Sequence, residues 1–367
     1  MSDAFRELLK KVGSGTHTSK DLSRQEAAEA TRMMLRQEAT PAQIGAFMIA
    51  HRIKRPTSEE LAGMLDAYEQ LGSKLSPGKM GNGQEVSAES SFPPVTVLGT
   101  PYDGRSRTAP VTPITAIILA AAGVSVVMHG GDCMPTKYGI PAIEIWQGLG
   151  VNFRKLSLEQ VQQLLQKTGL GFIYLPQHFP QAQSLVPYRD QIGKRPPIAT
   201  VELIWSPYRG DAHIVAGYVH PPTETLFRET LGMRGSTYFT LVKGLEGSCD
   251  LPRDRTAIIA IGKPDSSEGF ERLLLHPRDY GFAGKEVPLE SAPQLLTQIQ
   301  EVLDGESSEL LQTAIWNGGF YLWRCGACPD IPTGFAKAQS LLTDGYAAQK
   351  LQDVRQAIAS LELTYQT

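Results

Sequence analysis

A chain of 367 residues is longer than one hydrophobic core usually needs, so its length predicts two domains. Hydrophobic residues at 41%, charged residues at 20% and aromatic residues at 8% exclude a disordered chain, a fibre and a disulfide-stapled mini-protein. A net charge of −3 excludes the strongly basic body that bulk nucleic-acid binding produces, leaving room only for a local basic groove.

Four cysteines, Cys133, Cys249, Cys325 and Cys328, are too sparse for an extracellular disulfide framework, which fits a reducing cytoplasm. Cys325 and Cys328 have CxxC spacing but lack the further ligands a zinc site needs, so neither a metal nor a redox role is expected there. The first eleven residues carry Asp3, Arg6, Glu7, Lys10 and Lys11 and no apolar h-region, and the apolar run Ile114 to Val127 is too short to span a bilayer. A cytoplasmic protein without a membrane segment is the expectation.

From Ser23 to Leu71 apolar residues recur at three- and four-residue intervals, and Ser23 with Glu26 has capping-box spacing. Pro41 opens a second helix over Ala42–His51, and Ser58 caps a third over Glu59–Leu71 that ends at Gly72. This predicts a small all-helical module over residues 1–75. Between Gly72 and Pro94 the composition turns to Gly, Ser, Pro and polar residues, which predicts a linker over 76–94.

An α/β domain over 95–367 follows. Strand Val95–Leu98, a Gly-rich turn, a helix from about Pro113 to Ala122 and strand Val124–Val127 form a β-α-β unit, which implies a mostly parallel central sheet. The alternation continues through helices Pro141–Leu149 and Leu158–Thr168 and strands Gly171–Leu175, Ala212–Gly217, Tyr238–Val242 and Thr256–Ala260. Helices Ala292–Leu303, Glu306–Trp323 and Gly334–Leu363 close the chain.

The segment LSRQEAAEATRMMLRQEATPAQIGAFMIAHRIKRPTSEELAGML resembles the helical domain of the anthranilate phosphoribosyltransferases, whose architecture is shared with pyrimidine nucleoside phosphorylases. Further motifs, LGTPYDGR, AAAGVSVVMHGGD, PYRDQIGKR and WNGGFYLW, fall in that family's order over most of residues 20 to 350. The resemblance implies phosphoribosyl pyrophosphate and Mg2+ bound in a cleft, transfer of the phosphoribosyl group to an aromatic amine, and a homodimer joined through the helical domain. It also implies that a later helical segment near 180–200 joins that domain.

Gly99-Thr-Pro-Tyr-Asp-Gly104 lies between a strand and a helix, where backbone N–H groups and a helix N-terminus can cradle phosphate. Where the family has two more glycines this chain has Pro101, which removes a donor, and Tyr102, which adds bulk; both reshape the cradle. Gly99, Thr100, Asp103, Gly104, Arg105, Arg107 and Thr112 are candidate phosphate ligands. Arg105 and Arg107 either replace lost backbone donors with charge-assisted bonds or are solvated loop residues.

The resemblance places His129 and Gly130 beside the phosphates, just after a strand; a packing or hydrogen-bonding histidine is the other reading. The family's lysine and arginine in that motif are Met128 and Asp132 here, a reversal of charge. The family's magnesium-binding Asp-Glu pair reads Cys249-Asp250, leaving Asp250 and Glu246 as candidate ligands for Mg2+ or as loop acids. Arg189 matches the arginine that holds the acceptor carboxylate, a structural salt bridge being the alternative. Arg195 is read the same way, and His178 lies one position from a family histidine.

These residues lead to two functions. One is phosphoribosyl transfer that is weak or redirected to another acceptor. The alternative is a non-catalytic member that binds nucleic acid or another phosphate-bearing ligand, with Arg105, Arg107, Arg52, Lys54 and Arg55 as its cations.

Overall fold

The structure, a computed structural model, describes residues 3–15, 17–77, 95–263 and 269–364. Most of the expected linker, residues 78–94, lies outside them.

Four helices open the chain: α1 (Asp3–Gly13), α2 (Arg24–Leu35), α3 (Pro41–Lys54) and α4 (Ser58–Leu71). Capping boxes start three of them, Ser23 with Glu26, Thr40 with Gln43 and Thr57 with Glu60, each satisfying backbone donors that a helix start leaves free. The cap of α4 is therefore Thr57 and not Ser58, because the side chain that returns to the cap is Glu60. Helix α1 has no counterpart in the sequence reading.

The α/β part runs β1 (Thr96–Leu98), α5 (Thr112–Ala121), β2 (Val126–Gly130), α6 (Ala142–Gly148), α7 (Leu158–Thr168) and β3 (Leu170–Tyr174). Short helices α8 (Leu175–His178), α9 (Pro180–Gln183), α10 (Val186–Ile192) and α11 (Ile198–Ile204) follow. Next come β4 (His213–Gly217), α12 (Pro221–Met233), β5 (Phe239–Val242), β6 (Ala257–Gly262) and β7 (Phe270–Leu275). Helices α13 (Ala292–Leu303), α14 (Glu309–Arg324), α15 (Ile331–Thr343) and α16 (Tyr346–Thr364) close the chain.

The sheet has seven strands in the order β3-β2-β1-β4-β5-β6-β7. The pairs among β3, β2, β1, β4 and β5 are parallel, and those joining β5 to β6 and β6 to β7 are antiparallel. Strand β7 was not expected; it is an edge strand, and its adjacent exposed residues Glu271 and Arg272 place charge on that edge. The long helix expected over 334–363 is two helices, parted at Gly345, whose φ of 80° is left-handed.

Helices α10 and α11, which fall at the helical segment expected near 180–200, and α12, which had no counterpart in the sequence, pack against the N-terminal bundle. The Tyr188 hydroxyl donates to Gln37 Oε1 at 2.6 Å, an Arg52 guanidinium nitrogen donates to the Arg195 carbonyl at 2.6 Å, and Tyr68 of α4 meets the rings of Phe179 and Trp205 edge-on. The seam between bundle and sheet is thus aromatic and arginine-rich, and it sits beside the carboxyl ends of β1 and β2, where open α/β sheets hold their ligands.

Candidate active site

The turn after β1 is closed upon itself. Gly99 N–H donates to Val215 O at 2.8 Å, Gly104 N–H to Pro101 O at 3.0 Å, and Arg105 N–H to Ile140 O at 3.2 Å. A Cβ on Gly99 would lie 2.2 Å from Leu203 O, and one on Gly104, at a φ of 74°, would lie 2.4 Å from the Gly139 carbonyl carbon. Both glycines are accounted for by contacts with the chain's own backbone. Tyr102 fills the turn: its ring stands edge-on to His129 and its hydroxyl lies 2.5 Å from His129 Nδ1. Thr100 is buried beside it.

His129 and Gly130 lie within β2 rather than after it, since the ladder with β3 pairs His129 with Ile173 and Gly130 with Tyr174. Full burial pushes the His129 imidazole down to about 3, so it is neutral at physiological pH and offers no cation to a phosphate. Met128 is packed in the core. Asp132 accepts from Arg154 at 2.8 Å and from the Tyr174 hydroxyl at 2.7 Å, so the reversed charge is neutralised locally. His178 is structural: Nδ1 accepts from Tyr174 N–H at 3.0 Å and Nε2 faces Leu156 O at 2.8 Å.

Residues 105–108 form an anion nest, and its occupant is the protein's own Glu246. That carboxylate accepts from the backbone N–H groups of Ser106 (3.2 Å), Arg107 (3.0 Å) and Thr108 (3.0 Å), from Thr108 Oγ1 (3.1 Å) and from Arg105 Nε (3.2 Å). Burial alone would raise its pKa; Arg105 and the three N–H donors overcome that and hold it at about 2. Glu246 itself sits at a φ of 54°, a conformation that costs a non-glycine residue energy and that these bonds maintain.

Asp250 completes the cluster. It accepts from Arg105 Nη1 at 2.7 Å, from Thr112 Oγ1 at 2.7 Å and from Val111 N–H at 3.2 Å, while Arg105 Nη1 also reaches Ser248 Oγ at 2.8 Å. Arg105, Glu246 and Asp250 are each at most 3% exposed at the side chain. Arg107 is 77% exposed at the side chain and pairs with Glu246 only at 3.8 Å. Phosphate candidates Arg105 and Thr112 and metal candidates Asp250 and Glu246 are therefore brought together, but as one another's partners.

Magnesium does not fit this donor set. A hard cation needs carboxylate oxygens with free lone pairs facing the ligand. Here those oxygens are engaged by a guanidinium, a hydroxyl and backbone donors. The neighbouring Cys249 thiol, pushed up to about 12 by burial and then by Asp250, stays protonated and adds no ligand.

Arg189 lies in a second buried pair, in keeping with the salt-bridge alternative. Its Nη2 donates to Glu202 Oε2 at 2.9 Å and its Nη1 to Glu202 Oε1 at 3.3 Å, and both residues are nearly inaccessible. Burial raises the Glu202 carboxyl, and Arg189 opposes that shift. Glu202 was not singled out from sequence; it lies on α11, thirteen residues from its partner, with no motif around it. Lys54, named among the basic residues, is bound to Asp21 and to Glu60, the latter at 2.8 Å.

Asp103 differs from all of these. It is 2% exposed, yet neither carboxylate oxygen has a hydrogen-bond partner among the described residues. Lys137 and Arg195 lie within electrostatic reach of it.

Residues 6–72 match the helical bundle domain of the glycosyl transferase family and residues 95–348 match its a/b domain. The chain is 28% identical to the anthranilate phosphoribosyltransferase of Chromobacterium violaceum over 326 residues, 88% of this chain and 90% of that one. It is 29% identical to that of Afipia carboxidovorans over 355 residues, 96% and 97% of the two chains. The solved structure of the Saccharomyces cerevisiae enzyme in complex with PRPP and Mg superposes with a TM-score of 0.79 at 16% identity, covering 98% of this chain and 99% of that one. Bundle, sheet and relatives agree: the chain belongs to the glycosyl transferase family that includes the anthranilate phosphoribosyltransferases.

Proposed function

We propose that this protein is a binding member of its family, one whose phosphate nest and acceptor arginine are filled by its own carboxylates and which does not carry out magnesium-dependent phosphoribosyl transfer to anthranilate. The observation that carries this reading is Glu246 seated in the 105–108 nest with Arg105 shared between it and Asp250. Transfer of a phosphoribosyl group depends on a magnesium–pyrophosphate leaving group held by donors and cations. Those donors and cations are satisfied internally, and an incoming pyrophosphate would have to displace a carboxylate held by several bonds.

Cations do remain at the mouth of the cleft. Arg107, Arg52, Arg55 and Lys194 are exposed and Arg195 and Lys137 half-buried; the Arg52 guanidinium donates to the Arg195 carbonyl, and Arg107 and Lys137 lie 3.8 and 3.7 Å from the Glu246 carboxylate. This band suits phosphates presented from outside, either those of a phosphorylated small molecule or those of a single-stranded nucleic acid, and it replaces the set that included Arg105 and Lys54. Fluorescence anisotropy of a labelled single-stranded oligonucleotide, titrated from low to high salt, separates the two sources. Binding that weakens steeply with salt identifies nucleic acid, whereas saturation by a phosphorylated sugar with flat oligonucleotide curves identifies the small molecule. Turnover of anthranilate with phosphoribosyl pyrophosphate and magnesium would overturn the reading.

A second reading, phosphoribosyl transfer redirected to another acceptor, draws on the unpartnered Asp103 in the family's glycine turn. It requires magnesium-dependent release of pyrophosphate in the presence of that acceptor.

A further inference from the structure

The segment from His276 to Leu289, which follows β7, is bonded on two sides to the parts of the filled nest. On one side it pairs with the donor stretch. Ala109 N–H donates to Val287 O at 2.8 Å, Leu289 N–H donates to Arg107 O at 3.0 Å, and Thr108 and Pro288 form an antiparallel bridge. The bond at Arg107 O matters for the nest, because a planar trans peptide sends its C=O and its N–H in opposite directions. The N–H of that same peptide unit is the Thr108 donor, which reaches Glu246 Oε1 at 3.0 Å. On the other side the segment is bonded to the chain just past Asp250. Glu286 Oε1 accepts from the backbone N–H groups of Arg253 at 2.7 Å and Asp254 at 3.2 Å, Gly284 N–H donates to Arg253 O at 3.3 Å, and Arg253 Nε donates to Phe282 O at 2.8 Å.

The anchors of this segment are firm, and the segment itself is not. Arg253 is buried, and its Nη1 also donates to Glu309 O at 2.9 Å and to Thr313 Oγ1 at 3.1 Å on α14. The Phe282 ring lies 4.8 Å from that of Phe335 and 5.6 Å from that of Trp316, and the Tyr280 ring lies 5.3 Å from Phe335. A Cβ on Gly334 would lie 2.2 Å from the Gly319 carbonyl oxygen, so α14 and α15 cross in close contact beneath these rings. Of residues 276–289, however, only Pro277 is buried. A segment with so few buried contacts opens locally at less cost than the sheet beside it.

We infer that residues 276–289 act as a strap that keeps the nest shut: closed, the strap holds the 105–108 donors on Glu246, and released, it lets that carboxylate leave and an inorganic anion take its place. Phe282 and Arg253 are its positioning residues. Phe282 grips the rings of α14 and α15, and Arg253 ties the strap to the stretch that carries Asp250. The filled nest is then an autoinhibitory contact with a latch of its own. This rests on the proposed function in one respect, that Glu246 is the occupant of the nest.

Hydrogen exchange of the full-length protein, followed by mass spectrometry with and without inorganic phosphate, tests the strap. In Phe282→Ala the strap loses its grip, and exchange over 105–109 and over 284–289 is expected to rise together by about tenfold or more. Strands β2 and β3 keep their protection. Added phosphate slows exchange over 105–109 in Phe282→Ala and changes nothing in the unaltered protein, a dependence that a packing role alone does not produce. Tyr280→Ala, a milder loss from the same rings, decides in the same way if Phe282→Ala does not fold. A rise confined to 284–289, a rise spread equally through β2 and β3, or exchange over 105–109 that phosphate affects in neither protein or in both alike would each overturn the strap. Glu246→Ala separates that failure from failure of the proposed function. Protection of its 105–109 stretch by phosphate upholds the nest even where the strap fails, and no protection there removes the nest itself.

Discussion

Two halves of one cleft, less than a helix apart in sequence, treat charge in opposite ways. On the Arg105 side every ionised group is paired: Glu246 and Asp250 share one guanidinium and spend their remaining lone pairs on backbone and hydroxyl donors. On the Asp103 side a carboxylate is equally buried and has no hydrogen-bond partner among the described residues. The difference is one of bonding: Glu246 and Asp250 are saturated by donors of the chain itself, whereas Asp103 meets its cations, Lys137 and Arg195, only through electrostatic reach.

The comparison breaks most decisively at Arg105. Arg105→Ala leaves two buried carboxylates facing each other, and the expected loss is about 3–5 kcal/mol of folding free energy, read as a lower urea midpoint. A loss under about 1 kcal/mol would mean that the cluster is not the internally satisfied unit described here. Glu246→Ala removes one carboxylate but leaves Arg105 paired with Asp250, so the expected loss is smaller, about 2–3 kcal/mol. Inorganic phosphate or sulfate, seated in the vacated nest, is expected to restore part of the lost thermal stability; no rise in Tm with added phosphate would contradict the nest.

Acid sharpens the comparison further. Glu246 is held at about 2, below the ordinary 4.5, and so is Glu60 in the bundle, where His51, the Leu22 N–H and Lys54 outweigh the effect of burial. A carboxyl with a depressed pKa binds its proton more readily in the unfolded chain. Its stabilisation is present above about 4.5 and is lost as pH falls from there toward 2. Urea midpoints measured across that window are expected to decline steadily, and in Glu246→Ala the decline is shallower.

Asp103→Asn gives the smallest effect. Removing a buried charge that accepts no hydrogen bond is expected to leave stability unchanged or to raise it by up to about 1 kcal/mol, whereas Asp250→Asn is destabilising. Equal losses at the two aspartates would erase the distinction between the halves.

The helical bundle and the α/β part were legible because their signals are local and periodic: the capping box at Ser23, the β-α-β run from residue 95, and helices Leu158–Thr168 and Ala292–Leu303, all found where expected. Strand β7 and helix α12 were not, and the helical segment near 180–200 followed only from the resemblance, since half-exposed edge strands and short helices give no clean period. At the site, the departures at Pro101, Tyr102 and Met128 were visible in single residues. Their consequence was not, because it rests on partners far along the chain: Glu246 lies 141 residues from Arg105, and Glu202 has no motif. A sequence shows which residues have changed; only the fold shows that Glu246 occupies the 105–108 nest.

The most direct test is a calorimetric titration of phosphoribosyl pyrophosphate with magnesium into the unaltered protein and into Glu246→Ala. A filled nest predicts no magnesium-dependent heat for the unaltered protein and measurable anion binding once Glu246 is removed. Saturable, magnesium-dependent binding by the unaltered protein, undiminished when the oligonucleotide is present, would show that the nest is open and that the family's substrate still enters it.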